Sequence, residues 1–309
     1  MFAAAATARA ADAYPSRPVR WIVPFTPGAG TDTTARLVAQ RLSERFGQQF
    51  IIENKPGAGA NIGTEAVINA PPDGYTLLLV SPGNAINATL YRRLAFNFQR
   101  DIVTVAAIMR VPNVMDVTLS LPVHTVAEFI AYAKAHPGKI NMASSGTGTS
   151  VHLSGELFKA MAGVDLVHVP YRGSSPALND LIAGQVEVIF NNMPSSLALV
   201  QSGKMRALAV TSATRSHLWP EVPTVAETVQ GYEASAWYGL GVPRGTPPEI
   251  VATLNRAVND VLADPQMGTR LTELGGTLLP GTPDDFARLI AEETGKWGKV
   301  VTSLGLAVD

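Results

Sequence analysis

The feature that most constrains the fold is a repeated order of segments: a short apolar run, a glycine-rich loop and an amphipathic helix. In the first unit, residues 19–25 form the apolar run, 27–30 form a Pro-Gly-Ala-Gly loop, and 35–46 place apolar side chains on one helical face. Comparable units begin near residues 49 and 139. Alternating strand and helix segments of this length predict parallel sheets with helices on both faces. In such folds, ligands bind beyond the carboxyl ends of the strands, where the glycine-rich loops lie.

The chain is long enough to form two such units. With 309 residues and 46% apolar side chains, it can bury a core in each of two domains. A second series of segments begins near Pro112, and residues 235–242 have the pattern of a strand that returns to the first unit. We therefore predict an α/β protein with two lobes, each a mainly parallel sheet flanked by helices. The first lobe comprises 14–113 and 236–309, the second is the inserted segment 114–235, and two crossing strands form the hinge.

Several helix starts are predicted from capping residues. Asp32 is a candidate cap for the helix that follows the first glycine-rich loop. Thr246 and Thr282 each precede a proline, and proline is well suited to the first position of a helix. These positions predict where three helices begin.

The first 13 residues differ from the rest of the chain. They are rich in alanine and contain Ala8-Arg9-Ala10, the small-x-small pattern that signal peptidase cleaves. We interpret this segment as the remnant of a signal peptide, which predicts export; a flexible leader is the alternative. The sequence contains no run of about 18 apolar residues, so it predicts no membrane-spanning helix.

Charge and cysteine content argue against several classes of function. Lys and Arg number 24 and Asp and Glu 25, so the net charge of −1 gives no overall attraction for nucleic acid. The chain has no cysteine, which excludes disulfides, thiolate metal ligands and thiol nucleophiles. Its histidines show no paired metal-ligand spacing, and the glycines of 57–63 are spaced one residue too widely for a dinucleotide fingerprint. We therefore predict neither a metal nor a cofactor.

The usual catalytic motifs are missing from the sequence. It has neither the phosphate-binding G-x-x-x-x-G-K-[ST] pattern nor the G-x-S-x-G turn of α/β hydrolases. His152 follows a Ser/Thr-rich loop and could act as a general base, although a polar residue in the first turn of a helix is the simpler interpretation. A binding protein is therefore predicted, with an enzyme as the alternative.

Two loops have the composition of anion-binding sites. Residues 24–32 and 144–152 each join a strand to a helix, are rich in Gly, Ser and Thr, and would present unpaired N–H groups at a helix N-terminus. Such helix ends attract anions, and one loop falls in each predicted lobe. The alternative for each loop is that its glycines only allow a tight turn. Arg172 either faces the cleft between the lobes or is a solvated charge.

Longer segments carry a resemblance to a known family. They cover almost all of the chain after residue 13 and are, in chain order, PFTPGAGTD (24–32), ENKPGAGANIG (53–63), PPDGYTLL (71–78), SSGTGTSVHL (144–153), VPYRGSSPALNDLIAGQVEVIF (169–190), VPTVAE (222–227) and GTPPEIVATLN (245–255). With these segments the chain resembles the substrate-binding proteins of tripartite tricarboxylate transporters, the Bordetella uptake gene (Bug) family.

This resemblance implies a fold, a location and a function. The fold is that of a type II periplasmic binding protein, whose two lobes close around a carboxylate. The receptor delivers that carboxylate to a membrane partner with one large and one small subunit. The resemblance also implies that the loops at 25–32 and 145–150 grip the proximal carboxylate of the ligand. A sensor that reports the ligand to a membrane signalling partner is an alternative to uptake.

Two positions depart from the family pattern. Gly28-Ala29 stands where many relatives have two glycines, and Arg172 stands where many have lysine. Both changes keep the backbone amides, so they bear on the identity of the ligand more than on how it is held. We expect a monomeric receptor for a small organic carboxylate, either a dicarboxylate or an aromatic carboxylate.

The predicted ligand-binding residues come from the two loops and from polar positions near other strand ends. In the first loop they are Phe25, Thr26, Pro27, Gly28, Ala29, Gly30 and Asp32. In the second loop they are Ser145, Gly146, Thr147, Gly148, Thr149, Ser150 and His152. Near the other strand ends they are Ser81, Asn84, Tyr171, Arg172, Asn191 and Asn192.

Overall fold

The strands and helices alternate along the chain as predicted. The structure, a computed structural model, describes residues 14–309, and the predicted signal-peptide remnant at 1–13 lies outside them. The strands are, in chain order, β1 (Val19–Val23), β2 (Phe50–Asn54), β3 (Thr76–Val80), β4 (Ile102–Val117), β5 (Asn141–Ser144), β6 (Val167–Pro170), β7 (Val188–Asn192), β8 (Arg206–Val210), β9 (Ser235–Pro243) and β10 (Thr277–Leu278).

The α-helices lie between and after these strands. They are, in chain order, α1 (Gly30–Phe46), α2 (Asn61–Ile68), α3 (Pro82–Leu90), α4 (Phe98–Asp101), α5 (Val126–Ala135), α6 (Ser150–Ala162), α7 (Ser174–Ile182), α8 (Met193–Gln201), α9 (Pro248–Ala263), α10 (Pro265–Thr272) and α11 (Pro283–Ser303). Short 3₁₀ turns lie at Ala58–Ala60 and Val225–Glu227. Over residues 14–309, no helix has the combination of length and hydropathy needed to cross a membrane.

The first lobe is a sheet with helices on both faces. β1 lies between β2 and β3 and is parallel to both, while β9 and the first part of β4 extend the sheet in antiparallel orientation. Trp21 packs with residues of α1 and α9 on one face, and its neighbour Ile22 packs with residues of α2 and α11 on the other. Burial of an apolar side chain of this size contributes about 1.5–3 kcal/mol. The strand therefore holds helices to both faces of the sheet.

The second lobe repeats this arrangement. β5 lies between β6 and β7 and is parallel to both, and the second part of β4 pairs with β7 and β8 in antiparallel orientation. Phe190 packs with Phe129 of α5 and Phe158 of α6, while the adjacent Ile189 packs with residues of α7 on the opposite face. The predicted α/β architecture with two lobes is thus confirmed.

Strands β4 and β9 cross together from one lobe to the other. β4 pairs with β9 as far as Pro112 and with β7 from Asn113 onwards. The backbone N–H of Asn113 donates to the Thr211 hydroxyl at 2.7 Å, and the Thr211 N–H donates to the Asn113 carbonyl at 2.9 Å. The Ala234 N–H donates to the Thr211 carbonyl at 3.0 Å, immediately before β9 begins. These bonds fix the point at which both strands enter the second lobe.

The last helix makes a further connection between the lobes. Phe286, near the start of α11, packs in the first lobe. Trp297 and Val301, near its end, belong to a buried cluster that contains Ile86 and Leu90 of α3 and extends to residues of the second lobe. The sequence pattern contained no sign of this connection, because it depends on residues more than 200 positions apart meeting in space.

Three local expectations about element ends were wrong. α1 begins at Gly30, so Asp32 is the third helical residue and not the cap. α9 begins after Pro247, and the Thr246 hydroxyl donates to the Pro243 carbonyl instead of capping the helix. β7 extends to Asn192, so Asn191 and Asn192 lie within the strand and not after it. At Thr282 the predicted cap is confirmed, since its hydroxyl accepts from the Asp285 N–H.

Candidate ligand-binding site

A cavity of about 250 Å³ lies between the lobes, beyond the carboxyl ends of β1, β2, β5 and β6. It is lined by Pro24, Phe25, Gly57, Ala58, Gly59, Ala60, Tyr91, Ser145, Gly146, Thr147, Pro170, Tyr171 and Arg172. Residues of both predicted loops therefore meet at one cavity. A larger groove of about 590 Å³ lies beside α1 and β2, and no residue of either loop lines it.

The first loop is held in shape by its own hydrogen bonds. The Ala29 N–H donates to the Thr26 carbonyl at 3.3 Å, and the Gly28 N–H donates to the Asp32 carboxylate at 2.9 Å. The N–H groups of Thr31 and Asp32, in the first turn of α1, have no acceptor among residues 14–309. This helix end therefore keeps donors for an anion.

Asp32 organises the first loop. It is 2% exposed, and its carboxylate accepts hydrogen bonds from Gly28, from Arg36 at 2.9 Å and from Asn54 at 2.9 Å. Burial alone would raise the pKa of Asp32, but the hydrogen bonds from Arg36, Gly28 and Asn54 outweigh it and lower the pKa below its ordinary value. Asp32 is therefore ionised, and the hydrogen bonds that its carboxylate accepts hold the first loop in its conformation.

The second loop is shaped in the same manner. The Thr149 hydroxyl donates to the Gly146 carbonyl at 2.7 Å and accepts from the His152 N–H at 3.3 Å, so Thr149 caps α6. The Gly146 N–H donates to the Ser144 hydroxyl at 3.2 Å. The N–H groups of Ser145, Thr147, Ser150 and Val151 have no acceptor within the described part of the chain. Two of these donors, on Ser145 and Thr147, belong to residues that line the cavity.

His152, which is buried, and His168, which is half-buried, form a neutral pair behind the second loop. Their rings stack with centroids 4.0 Å apart. Burial, reinforced by the neighbouring His168 and Lys159, lowers the pKa of His152 to about 3, and burial lowers the pKa of His168 to about 4. The Gly148 N–H donates to Nδ1 of His152 at 3.2 Å, which requires that nitrogen to be unprotonated. His152 thus supports the loop from within the second lobe.

We expect the protein to lose stability as the pH falls from about 6.5 towards 4. Histidine in an unfolded chain titrates near 6.5, whereas His152 and His168 of the folded protein stay neutral down to about 3 and 4. In this window the unfolded chain binds more protons, so each pH unit lowers the free energy of unfolding by up to about 1.4 kcal/mol per histidine. Urea unfolding between pH 7 and pH 4.5 measures this slope. A slope that is unchanged in the double variant His152→Asn/His168→Gln would contradict the assignment.

The loop between β2 and α2 contributes a wall that the predicted set of site residues did not include. Ala58 and Ala60 have positive φ angles of 47° and 84°, a conformation that costs a residue with a side chain about 1–2 kcal/mol. Gly59 contacts the second loop so closely that a Cβ atom at this position would lie 2.2 Å from the Thr147 carbonyl oxygen. The glycines of the segment 53–63 were the available sequence signal. Tyr91 was also missed, and its hydroxyl lies 3.5 Å from the same carbonyl oxygen.

The remaining predicted site residues bind mainly to other parts of the protein. Asn84 accepts from the Ser81 N–H at 3.0 Å and donates to Thr64 at 2.8 Å. Asn191 accepts from the Ser174 hydroxyl at 2.9 Å, and Asn192 donates to Ser150 at 3.2 Å. None of these asparagines lines the cavity among the described residues. Their contact with a ligand stays a prediction.

The two lobes also contact each other directly beside the cavity. The Gly30 N–H of α1 donates to the Ser195 hydroxyl of α8 at 2.7 Å. The Ser175 hydroxyl of α7 donates to the Pro27 carbonyl at 3.2 Å. Thr26 lies against Gly173, where an added Cβ would be 2.3 Å from the Thr26 hydroxyl oxygen. The predicted residues Thr26, Pro27 and Gly30 thus serve the closed arrangement of the lobes.

A family model described as the tripartite tricarboxylate transporter family receptor matches residues 34–306. The chain belongs to this family. Among curated relatives of the receptor, BugT of Bordetella pertussis is 38% identical over 300 residues, which cover 96% of this chain and 91% of BugT. This match confirms the predicted resemblance to the Bug receptors. The family is one of substrate-binding receptors rather than enzymes.

Solved structures of other receptors share the fold. A Rhodopseudomonas palustris protein with adipate is 43% identical and superposes with a TM-score of 0.92 over 95% of this chain and 99% of that one. MatC from the same species, with bound malate, is 34% identical and superposes with a TM-score of 0.88 over 93% of this chain and 100% of MatC. The receptor therefore has the two-lobed fold of periplasmic binding proteins, as predicted.

Proposed function

We propose that this receptor is exported to the periplasm, captures a small organic carboxylate between its lobes and delivers it to the large and small membrane subunits of a tripartite tricarboxylate transporter. One chain supplies both halves of the cavity, so a monomer is sufficient to bind the ligand. The observation that carries the proposal is a single cavity of about 250 Å³ that residues of both lobes line, with the unpaired amides of Ser145 and Thr147 on residues of its wall. The relatives with adipate and malate support a carboxylate as the ligand.

Backbone donors and helix ends are strong enough to hold such a ligand. A helix N-terminus contributes about 0.3–2 kcal/mol to binding an anion, and each hydrogen bond to a charged group contributes about 1.5–3 kcal/mol. Micromolar affinity corresponds to about 8 kcal/mol. The unpaired amides of Ser145 and Thr147, on residues that line the cavity just before α6, can therefore contribute much of this affinity, whereas those of Thr31 and Asp32 belong to residues outside the lining.

Ligand binding is coupled to closure of the lobes. The ligand bridges the two turns and shifts an equilibrium between open and closed forms towards the closed one. The hydrogen bonds from Gly30 to Ser195 and from Ser175 to Pro27 join residues outside the cavity lining, and they stabilise the closed form. Closure presents both lobes to the transporter in one fixed arrangement, which is the signal for delivery.

The cavity does not favour the enzyme alternative. The described residues that line it include no Asp, Glu or His that could act as a general acid or base. Ser144 lies 2.7 Å from Nε2 of His168, but Ser144 is fully buried and is not part of the lining. A binding function therefore explains the site better than turnover does.

A thermal-shift screen of mono- and dicarboxylates, followed by calorimetry on the hits, tests the proposed function. At a ligand concentration of 100 times Kd, binding raises the free energy of unfolding by about 2.7 kcal/mol. A change of this size raises Tm by several degrees, at about 2–4 °C per kcal/mol. The matched control is the neutral diamide of each diacid that is a hit. If no acid raises Tm, or if the diamides raise it equally, the carboxylate receptor function is wrong.

A further inference from the structure

The charged groups around the cavity are unevenly distributed. Arg172 is the one charged side chain among the described residues that line it. The other cations near the loops already have carboxylate partners: Arg36 pairs with Asp32 at 2.9 Å, Lys55 with Glu53 at 3.1 Å, and Lys159 with Glu156 at 2.9 Å. Arg172 forms no ion pair with any residue of 14–309. The cavity therefore holds a positive charge that the protein itself does not neutralise.

The backbone on both sides of Arg172 is fixed in place. The Tyr171 N–H donates to the Ser144 carbonyl at 3.0 Å, and the Tyr171 hydroxyl donates to the Asp180 carboxylate at 2.6 Å. Gly173, on the other side, lies against Thr26 of the opposite lobe. The backbone of Arg172 is therefore held at the wall of the cavity, and its side chain is exposed.

The amides of the second loop and the guanidinium group of Arg172 are separate sources of affinity for negative charge. A single carboxylate at the loops uses the amides of Ser145 and Thr147 and leaves the guanidinium group unpaired. A second carboxylate on the same ligand would accept two charge-assisted hydrogen bonds from the guanidinium group of Arg172. The volume of about 250 Å³ is smaller than the roughly 300–1,000 Å³ of pockets for drug-sized ligands. The space therefore suits a short-chain acid.

We propose that Arg172 is the specificity-determining residue of this site and that it selects short aliphatic dicarboxylates over monocarboxylates, aromatic monoacids included. This inference rests on the proposed receptor function and chooses between the two ligand classes expected from the sequence. The loop amides bind the first carboxylate, and Arg172 binds the second. Lysine at this position would offer a point charge instead of a planar fork, so arginine favours the bidentate contact.

Calorimetry with charge-matched ligand pairs tests this inference. The pairs are adipate with its monoamide adipamate and succinate with its monoamide succinamate, which differ by one charge at constant chain length. In the wild-type receptor, at least one diacid is expected to bind about 10- to 100-fold more tightly than its monoamide. In Arg172→Met this ratio is expected to fall to about threefold or less, while the affinity for the monoamide stays the same. In Arg172→Lys the ratio is expected to be intermediate.

Arg93→Met is the matched control, because Arg93 is exposed and lies outside the cavity lining. It removes the same charge from the protein and is expected to keep the wild-type ratio. Unchanged Tm of the unliganded Arg172→Met variant shows that it folds. A preference for the diacid that survives in Arg172→Met overturns the inference. A wild-type receptor that binds monocarboxylates but neither diacid also overturns it and leaves the receptor function standing, whereas failure of every acid in the thermal-shift screen removes both.

Discussion

Replacing Gly148 with alanine is expected to weaken binding of the carboxylate ligand by about a hundredfold. Gly148 lies in the second loop with φ +86°, and a Cβ atom there would lie 2.0 Å from Oδ1 of Asn87 in the opposite lobe. Asn87 has little freedom to move, because its amide donates to Asn61 at 2.9 Å and to the Gly59 carbonyl at 2.8 Å. Overpacking of this kind destabilises the closed form by about 1–3 kcal/mol. The open form is not destabilised, because its lobes are apart and the two residues do not touch. The variant therefore shifts the equilibrium away from the closed form that holds the ligand.

Gly163→Ala is the matched control for this variant. Gly163 ends the same helix, α6, with φ +62°, and no atom lies within 4 Å of a Cβ added there. Both variants impose a left-handed conformation on alanine and should lose a similar amount of stability without ligand. Calorimetry with the tightest acid from the screen separates them, since only Gly148→Ala is expected to lose affinity. Wild-type affinity in Gly148→Ala would show that the close approach of Gly148 to Asn87 is not required for binding.

Replacing Trp297 with alanine is expected to lower the free energy of unfolding by about 3–5 kcal/mol. Trp297 is fully buried, belongs to the cluster that contains Ile86 and Leu90 of α3 and residues of the second lobe, and donates from its indole N–H to Glu293 at 2.9 Å. Its removal leaves a cavity and also removes the hydrogen bond of a carboxylate that is 6% exposed. The helix that carries it, α11, is anchored in the first lobe by Phe286. The substitution therefore weakens a connection between the lobes as well as a core.

Equilibrium unfolding in urea, followed by circular dichroism, measures this effect. Lys299→Ala is the control, because Lys299 lies on the same helix, is exposed and should change stability by about 0.5 kcal/mol or less. A loss of under 1 kcal/mol in Trp297→Ala would falsify the view that the end of α11 is packed in this buried cluster.

Helix caps show how far local sequence rules reached. At Thr282 the expected cap forms, and the Asp285 carboxylate completes it reciprocally, because all of these atoms lie within four consecutive residues. At Thr246 the same rule failed. Pro247 occupies an extended conformation with ψ 134° just before α9, and the threonine hydroxyl bonds to Pro243 instead. The capping rule fails at Thr246 because α9 begins one residue later than the rule assumes, after Pro247.

Only some of the residues that line the cavity could be predicted from the sequence. Phe25, Ser145, Gly146 and Thr147 line the cavity and belong to loops whose Gly, Ser and Thr content indicated free amides. Ala58 and Tyr91 line it as well, but an alanine and a tyrosine carry no local sign of a binding role. Their positions depend on how α3 and the loop after β2 approach the second lobe.

By itself, the sequence determined the alternation of strands and helices, the apolar faces that cover each sheet on both sides, and the glycine-rich turns that leave amides unpaired. These properties follow from side-chain periodicity and backbone sterics within about 20 residues. The tertiary structure alone decided which distant residues meet: it set Gly148 against Asn87, joined Trp297 to Ile86 and Leu90 in one buried cluster and left Arg172 without an ion pair at the cavity. Contacts between distant segments depend on the packing of whole lobes, and local patterns do not contain that information.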